Sequence, residues 1–197
     1  MSTKTKNAGA PDTRARIIRA ASALMQRQGY DGTGIKQIAQ QAQATLGSVY
    51  HFFPGGKQEL AVAAIHHGDR EFAEELSAAL DADDDPAAAL TALCQDLAAG
   101  LAASDWPAGC PITATALGPA GRAPDIQAAA AAAFARWRAL VHTKLRTAGI
   151  PDPAAHDLAH LTISTIEGAE LSAQVSQSTE PLEIAGRYLA QLVRAAR

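Results

Sequence analysis

Residues 33–60, TGIKQIAQQAQATLGSVYHFFPGGKQEL, constrain this chain more than any other stretch. Ile35, Ile38, Ala39 and Ala42 recur at helical spacing and give a short helix one apolar face. Ala39 is small enough to let a second helix approach closely. Thr45 has the side chain of a helix N-cap, and Val49 and Phe53 then face inward with it. Thr45, Leu46, Gly47, Ser48, Tyr50 and His51 are left for the outer face. Small and hydrogen-bonding groups of this kind suit close contact with a phosphate backbone and base edges. Two short helices joined by a tight turn make a helix-turn-helix, so double-stranded DNA is the first partner to expect.

Charge points the same way. The whole chain has a formal net charge of -3, but residues 1–57 hold eight basic and two acidic side chains, a net of +6. The remaining 140 residues hold nine basic and eighteen acidic side chains, a net of -9. A basic first third on an acidic remainder is the footprint of a nucleic-acid-binding module joined to a different one. The plain alternative is a solvated basic helix.

With 197 residues, 48% of them hydrophobic, the chain can bury a substantial core. Alanine is abundant, aromatic residues are 5%, and no stretch alternates with a period of two, which predicts an all-α fold. Cys94 and Cys110 lack companions at metal-ligand spacing, so neither a disulfide framework nor a zinc site is expected. No run of about 18 uncharged apolar residues and no signal pattern stands out, so no membrane partner and a cytoplasmic location are expected. No cofactor is expected.

The pattern predicts nine helices. A flexible basic arm, residues 1–11, precedes a helix with Ile17, Ala20, Ala21, Leu24 and Met25 on its apolar face, closed at Gly29. The helix-turn-helix follows, and Lys57 opens a long fourth helix that runs to the acidic cluster at 81–85. Pro86 starts a fifth, with Leu90, Leu93, Leu97 and Leu101 at spacings of three and four. A loop at 104–111, a short sixth helix ended by Gly118-Pro119, and three more at about 124–148, 153–176 and 181–195 complete the chain. The expected organisation is an arm at 1–11, a DNA-binding domain at 12–60 and a larger helical domain at 61–197, joined through the fourth helix.

The stretch GY…T…IKQIAQQA…T.GSVYHFFPGGKQEL resembles the N-terminal part of the TetR family of bacterial transcription regulators. PGGKQEL with the later GCPITATAL and IEGAEL is similar to the LmrA/YxaF-type branch. The resemblance implies an all-α homodimer in which 61–197 is the ligand-binding and dimerisation domain, joined through its last two helices, with an unknown small-molecule effector that releases a repressor from its operator. It places Thr33, Thr45, Tyr50, His51 and Lys57 at phosphates and Lys36, Gly47 and Ser48 near bases. Two positions depart from the family pattern. Gln43 stands where the turn usually has glycine, and a left-handed non-glycine residue costs roughly 1 kcal/mol. Leu46 stands where the recognition helix commonly has Lys or Arg, and leucine can touch only a thymine methyl.

In the remainder, Phe72, Trp106, Phe134, Trp137 and Tyr188 are candidate pocket walls, with ordinary core packing as the alternative for each. Asp96, Glu167 and Glu170 lie on largely apolar helices, where a buried carboxylate needs a partner: a cationic ligand, or an arginine such as Arg136 or Arg138. Glu167 and Cys110 join the candidate ligand site. Cys110, at a helix start, also suggests a thiol-based redox or electrophile sensor. A helical enzyme is the more distant reading, because no His–Asp pair accompanies the cysteine. His156 and His160 are four residues apart, too few for a metal site without a third ligand.

Overall fold

The computed structural model describes residues 12–197, so the arm expected at 1–11 lies outside the described residues. Within them the chain forms α1 (Thr13–Gly32), α2 (Ile35–Gln41), α3 (Leu46–Phe52), α4 (Gly56–Asp81), α5 (Pro86–Ala103), α6 (Pro111–Leu117), α7 (Pro124–Thr147), α8 (Asp152–Ser176) and α9 (Glu180–Ala195). This is the all-α fold that the periodicity predicts.

Helix boundaries follow the local chemistry. The Asp12 carboxylate accepts the Arg14 N–H at 3.3 Å and starts α1. Asp85 accepts the Ala87 N–H at 3.3 Å, with Pro86 in the first turn of α5. Prolines also sit in the first turns of α6, α7, α8 and α9, where a missing N–H costs nothing. Gly29 takes φ +70 as expected, but the helix resumes for a last turn through Gly32. Gln43 takes φ +50 in the turn between α2 and α3, the strained conformation its position demands.

α1 packs on α2, α3 and α4 through Ile17, Ala21, Leu24 and Met25, all buried. The second part is a bundle in which α5 lies on α9, α4 on α7, and α8 between α7 and α9. One apolar core runs through both parts, from Ile17 to Val193. A smaller cluster of Ala98, Leu101, Ala169, Ala173, Leu182 and Ala185 closes the end of the bundle where α5 finishes and α9 begins.

Two expectations need correction. α5 is an 18-residue helix long and apolar enough to cross a membrane by length and composition, because Asp96 is its lone charge. It packs on α9 and α4, with Leu90, Leu93, Cys94 and Leu101 buried. The last two helices, expected to join the subunits, turn part of their apolar pattern inward: Ala169, Leu189 and Val193 are buried within the subunit's own core. Leu161, Leu171 and Val175 of α8 and Ile184, Tyr188 and Leu192 of α9 are the large apolar side chains left exposed there. Tyr188, 57% exposed, is therefore not a pocket wall.

At mid-height of α4 two adjacent residues fix the bundle. A Cβ on Gly68 would lie 2.9 Å from Pro111 Cγ, so glycine is what lets α6 begin against α4. Asp69, 3% exposed, accepts the Trp137 indole N–H at 3.1 Å and pairs with Arg136 at 3.5 Å. Trp137 is itself 1% exposed, so this bond is made without competition from water. Asp69→Leu should cost about 1–3 kcal/mol by orphaning the indole N–H. Asp69→Asn keeps an acceptor and loses only the pair with a half-exposed arginine, at most about 1 kcal/mol. Urea unfolding of the two variants checks that order.

Candidate DNA-binding face and ligand cavity

The outer face of the helix-turn-helix is built from its caps. Thr45 Oγ1 accepts the Ser48 N–H at 3.0 Å and shares a hydrogen with Ser48 Oγ at 2.9 Å, fixing the first turn of α3. Val49 and Phe53 are fully buried beneath it. Above them Thr45, Leu46, Gly47, Tyr50 and His51 are exposed and Ser48 is half-buried. Leu46 and Tyr50 are 39% and 52% exposed, large apolar surface on a seven-residue helix that none of the described residues covers. His51 stacks edge-on against Phe52 at 5.0 Å. Lys36 is exposed on α2.

Thr33 is a correction. Its residue is 1% exposed and its hydroxyl donates to the Gly29 carbonyl at 2.8 Å, so it staples the end of α1 and cannot reach a phosphate. Several of the cations that make the first third basic also serve the fold. The Arg14 guanidinium lies 5.3 Å from the Phe53 ring centre, and Arg16 Nε donates to the Ala42 carbonyl at 3.1 Å. Lys57 Nζ lies 4.4 Å from the Tyr30 ring centre and donates to the Asp31 carbonyl at 3.5 Å, joining the start of α4 to the end of α1. Burial lowers the Lys57 pKa, partly offset by the nearby Asp31 charge.

The second site is a cavity of about 730 Å³ between α1, α4, α5, α6, α7 and α8. Phe72, Cys110, Trp137 and Glu167 line it, as the sequence suggested. Trp106 and Phe134 do not. Trp106 sits in a left-handed turn at φ +75 and packs on the small core cluster, with Gln174 donating to its carbonyl at 3.1 Å. Phe134 stands edge-on to Trp137 at 5.1 Å and supports that ring from outside the cavity. A smaller cavity of about 110 Å³ adjoins, sharing Gln26, Gly109, Cys110, Glu167 and Glu170.

Sequence reasoning missed that α1 is part of this wall. Ser22 and Gln26 of α1 line the cavity, and Gln26 Nε2 donates to the Gly109 carbonyl at 2.6 Å. Nothing in the apolar spacing of α1 marks Gln26, since its partner lies 83 residues away. The suggested arginine partners for the acidic residues are also absent: Arg136 pairs with Asp69, and no basic residue lines the cavity among the described residues. Glu167 accepts from Thr113 Oγ1 at 2.6 Å instead.

Burial raises the Glu167 pKa, and burial with the neighbouring Glu167 charge raises that of Glu170 to about 7. Cys110 is the N-cap of α6, its sulfur accepting the Thr113 N–H at 3.5 Å. Burial and the Glu167 charge push its thiol well above the ordinary range. A reactive thiolate needs the opposite surroundings, so burial and the Glu167 charge weigh against the oxidant-sensing reading. His156 and His160 are exposed, their rings 4.7 Å apart, with His156 bonded to Asp157.

Comparison with known proteins places this geometry. Residues 17–64 match the family model described as bacterial regulatory proteins, tetR family. Residues 86–188 match the C-terminal domain of transcriptional regulators described as LmrA/YxaF-like. The HTH-type transcriptional regulator Rv0196 of Mycobacterium tuberculosis is 35% identical over 188 residues, 92% of this chain and 94% of that one. The crystal structure of regulatory protein TetR from Rhodobacter sphaeroides superposes with a TM-score of 0.80 at 27% identity, covering 91% of this chain and 98% of that chain. A cysteine mutant of the regulator CifR, solved with 26-base-pair double-strand operator DNA, shares the fold at 19% identity and a TM-score of 0.77, over 96% of this chain and 100% of that one.

The raised Glu170 pKa has a consequence for stability. The folded state holds this proton more tightly than the unfolded chain does, so the group's contribution is full below about 4.5 and is lost as pH rises through about 7. Glu170→Gln should therefore stabilise the protein more at pH 8 than at pH 5, measured by urea unfolding at the two values.

Proposed function

This chain belongs to the TetR family of bacterial regulatory proteins, and we propose that it is a repressor released from its operator by a small molecule entering the cavity. It is a helix-turn-helix transcriptional regulator and not an enzyme. The observation behind the proposal is that the cavity and the DNA-binding module share their walls. α4 carries Lys57 at one end and Gly68, Phe72 and Glu75 at the cavity, while α1 contributes Ser22 and Gln26.

The operator is read by a dimer in this proposal. Exposed apolar side chains on α8 and α9 supply the surface for a second copy, and Gly168 on α8 has nothing within 4 Å of an added Cβ. Two recognition helices about 34–36 Å apart, or a multiple of one DNA turn, would meet successive major grooves. A ligand that moves α4 or α6 changes that spacing. A coupling of about 1–3 kcal/mol is enough to alter operator affinity about 5–150-fold, and operator DNA must weaken ligand binding by the same factor.

Lys57→Ala should weaken binding to every DNA sequence and reduce the salt slope by roughly 0.9 for each phosphate no longer neutralised. Thr33→Val should cost about 1 kcal/mol of stability and leave the salt slope alone. Binding isotherms at several salt concentrations separate the two, and an unchanged slope for Lys57→Ala would remove that residue from the DNA face.

Gly168→Arg should leave the subunit folded, since its position is open within the chain, yet produce monomers with little operator affinity. Analytical ultracentrifugation decides this. A wild-type protein that sediments as a monomer at micromolar concentration would refute the dimer.

A further inference from the structure

We propose that the ligand of the large cavity is a lipophilic organic cation, its charge met by Glu167 and Glu170 and its apolar body by Phe72 and Trp137. The inference rests on reading the cavity as the effector site. Three observations converge on it.

The first is the charge census of the wall. Glu71, Glu75, Asp96, Glu167 and Glu170 line the cavity, and among the described residues no Lys, Arg or His does. Glu71 pairs at 3.4 Å with His67, which stands outside the lining. Among the described residues the other four have no ion pair. Glu71, Glu75 and Asp96 are exposed and form an acidic rim, whereas Glu167 and Glu170 are half-buried on α8. A rim of one sign leading to low-dielectric walls concentrates ions of the other sign.

The second is that the inner pair has no counter-charge. Glu167 receives the Thr113 hydroxyl at 2.6 Å and the Cys110 thiol, and Glu170 receives the Cys110 backbone N–H; all three donors are neutral, and the two carboxylates repel each other. Buried like charges without a counter-ion are costly, and a bound cation relieves both the desolvation and the repulsion. An anion would meet five carboxylates, and a neutral ligand would leave the inner pair as it is.

The third is the rest of the surface. Phe72 and Trp137 stand edge to face at 4.5 Å, and Leu93, Leu97, Leu101 and Ile166 complete an apolar wall. Aromatic rings beside buried carboxylates suit an organic cation, whose charge is spread over carbon and attracted to ring faces. A bare metal ion fits less well. Cys110, Glu167 and Glu170 place potential ligand atoms within 4.8 Å of one another, but the thiol is held protonated and most of the cavity would stay empty.

Tetraphenylphosphonium and tetraphenylborate have the same shape and opposite charge, and triphenylphosphine oxide is a neutral relative. Binding of each to the full-length protein, without DNA, should be followed by tryptophan emission and by calorimetry. Tetraphenylphosphonium should bind at least about tenfold more tightly than either of the others. Glu170→Gln should weaken it about tenfold, the double variant Glu167→Gln/Glu170→Gln further, with far-UV circular dichroism confirming the fold. Equal or tighter binding of the borate or the oxide, no binding by any of the three, or cation affinity indifferent to the double variant would overturn the inference. Operator release is scored separately. Cation-selective binding without release would leave the ligand class standing and sink the ligand-released repressor. Release by a neutral or anionic compound, with no preference for the phosphonium, would do the reverse.

Discussion

One turn of α4, at Gly68 and Asp69, is the point from which the rest of the structure is held. Gly68 lacks the Cβ that would collide with Pro111, so α6 begins directly against it. The next residue turns the other way and takes the Trp137 indole of α7 into a buried hydrogen bond. Two segments far downstream are thus fixed to a single turn of one helix. That turn also forms cavity wall through Gly68, with Glu71 and Phe72 in the turn that follows. A 26-residue helix spans about 39 Å, and Lys57 lies close to its first residue. Whatever displaces this turn displaces the helix that enters the DNA-binding module.

α4 is not the lone connection. α6 packs on α1 as well as on α4, and its flanks are tied to the end of α1 by polar contacts. Gln26 holds the Gly109 carbonyl, and Arg122 joins the Asp31 carboxylate at 2.8 Å while also donating to the Gly118 carbonyl. Lys57 then closes the loop, its ammonium resting on Tyr30 and the Asp31 carbonyl. α1, α4 and α6 form a closed triangle, so the DNA-binding module is not a bead on a string. A lever of one helix could bend. Three helices packed on one another resist bending more than one helix alone, so a displacement imposed on any of them would be shared by the other two.

The legible parts of this protein were those set by neighbours in sequence. The cap at Thr45, the proline that starts α5 and the inward Val49 and Phe53 follow from local spacing, and the left-handed Gln43 follows from the family's turn pattern. What could not be read depended on backbone geometry and tertiary contacts. The resemblance places Thr33 at a phosphate, but the kink at Gly29 brings that residue's carbonyl to its hydroxyl. Trp106 is a candidate pocket wall as one of the few aromatic residues of the second part, yet it packs on the small cluster at the end of the bundle. Leu189 and Val193 share the apolar pattern of α9 with Ile184 and Leu192, and periodicity alone does not say which face meets α5. Only half of that pattern was available for another surface.

The acidic cavity is where the structure departs from what stability alone would select. Replacing Glu167 or Glu170 by an apolar residue of similar volume would remove a buried charge from the bundle at little cost in packing. Cys110 beside them carries no charge, its thiol being kept neutral, and it caps α6. These three groups occupy the partition between the two cavities, directly beneath the Gln26 contact to α1. Because α1 and α4 line the cavity, and α1 also packs on α2 and α3, a ligand that displaced either helix would displace the DNA-binding module with it.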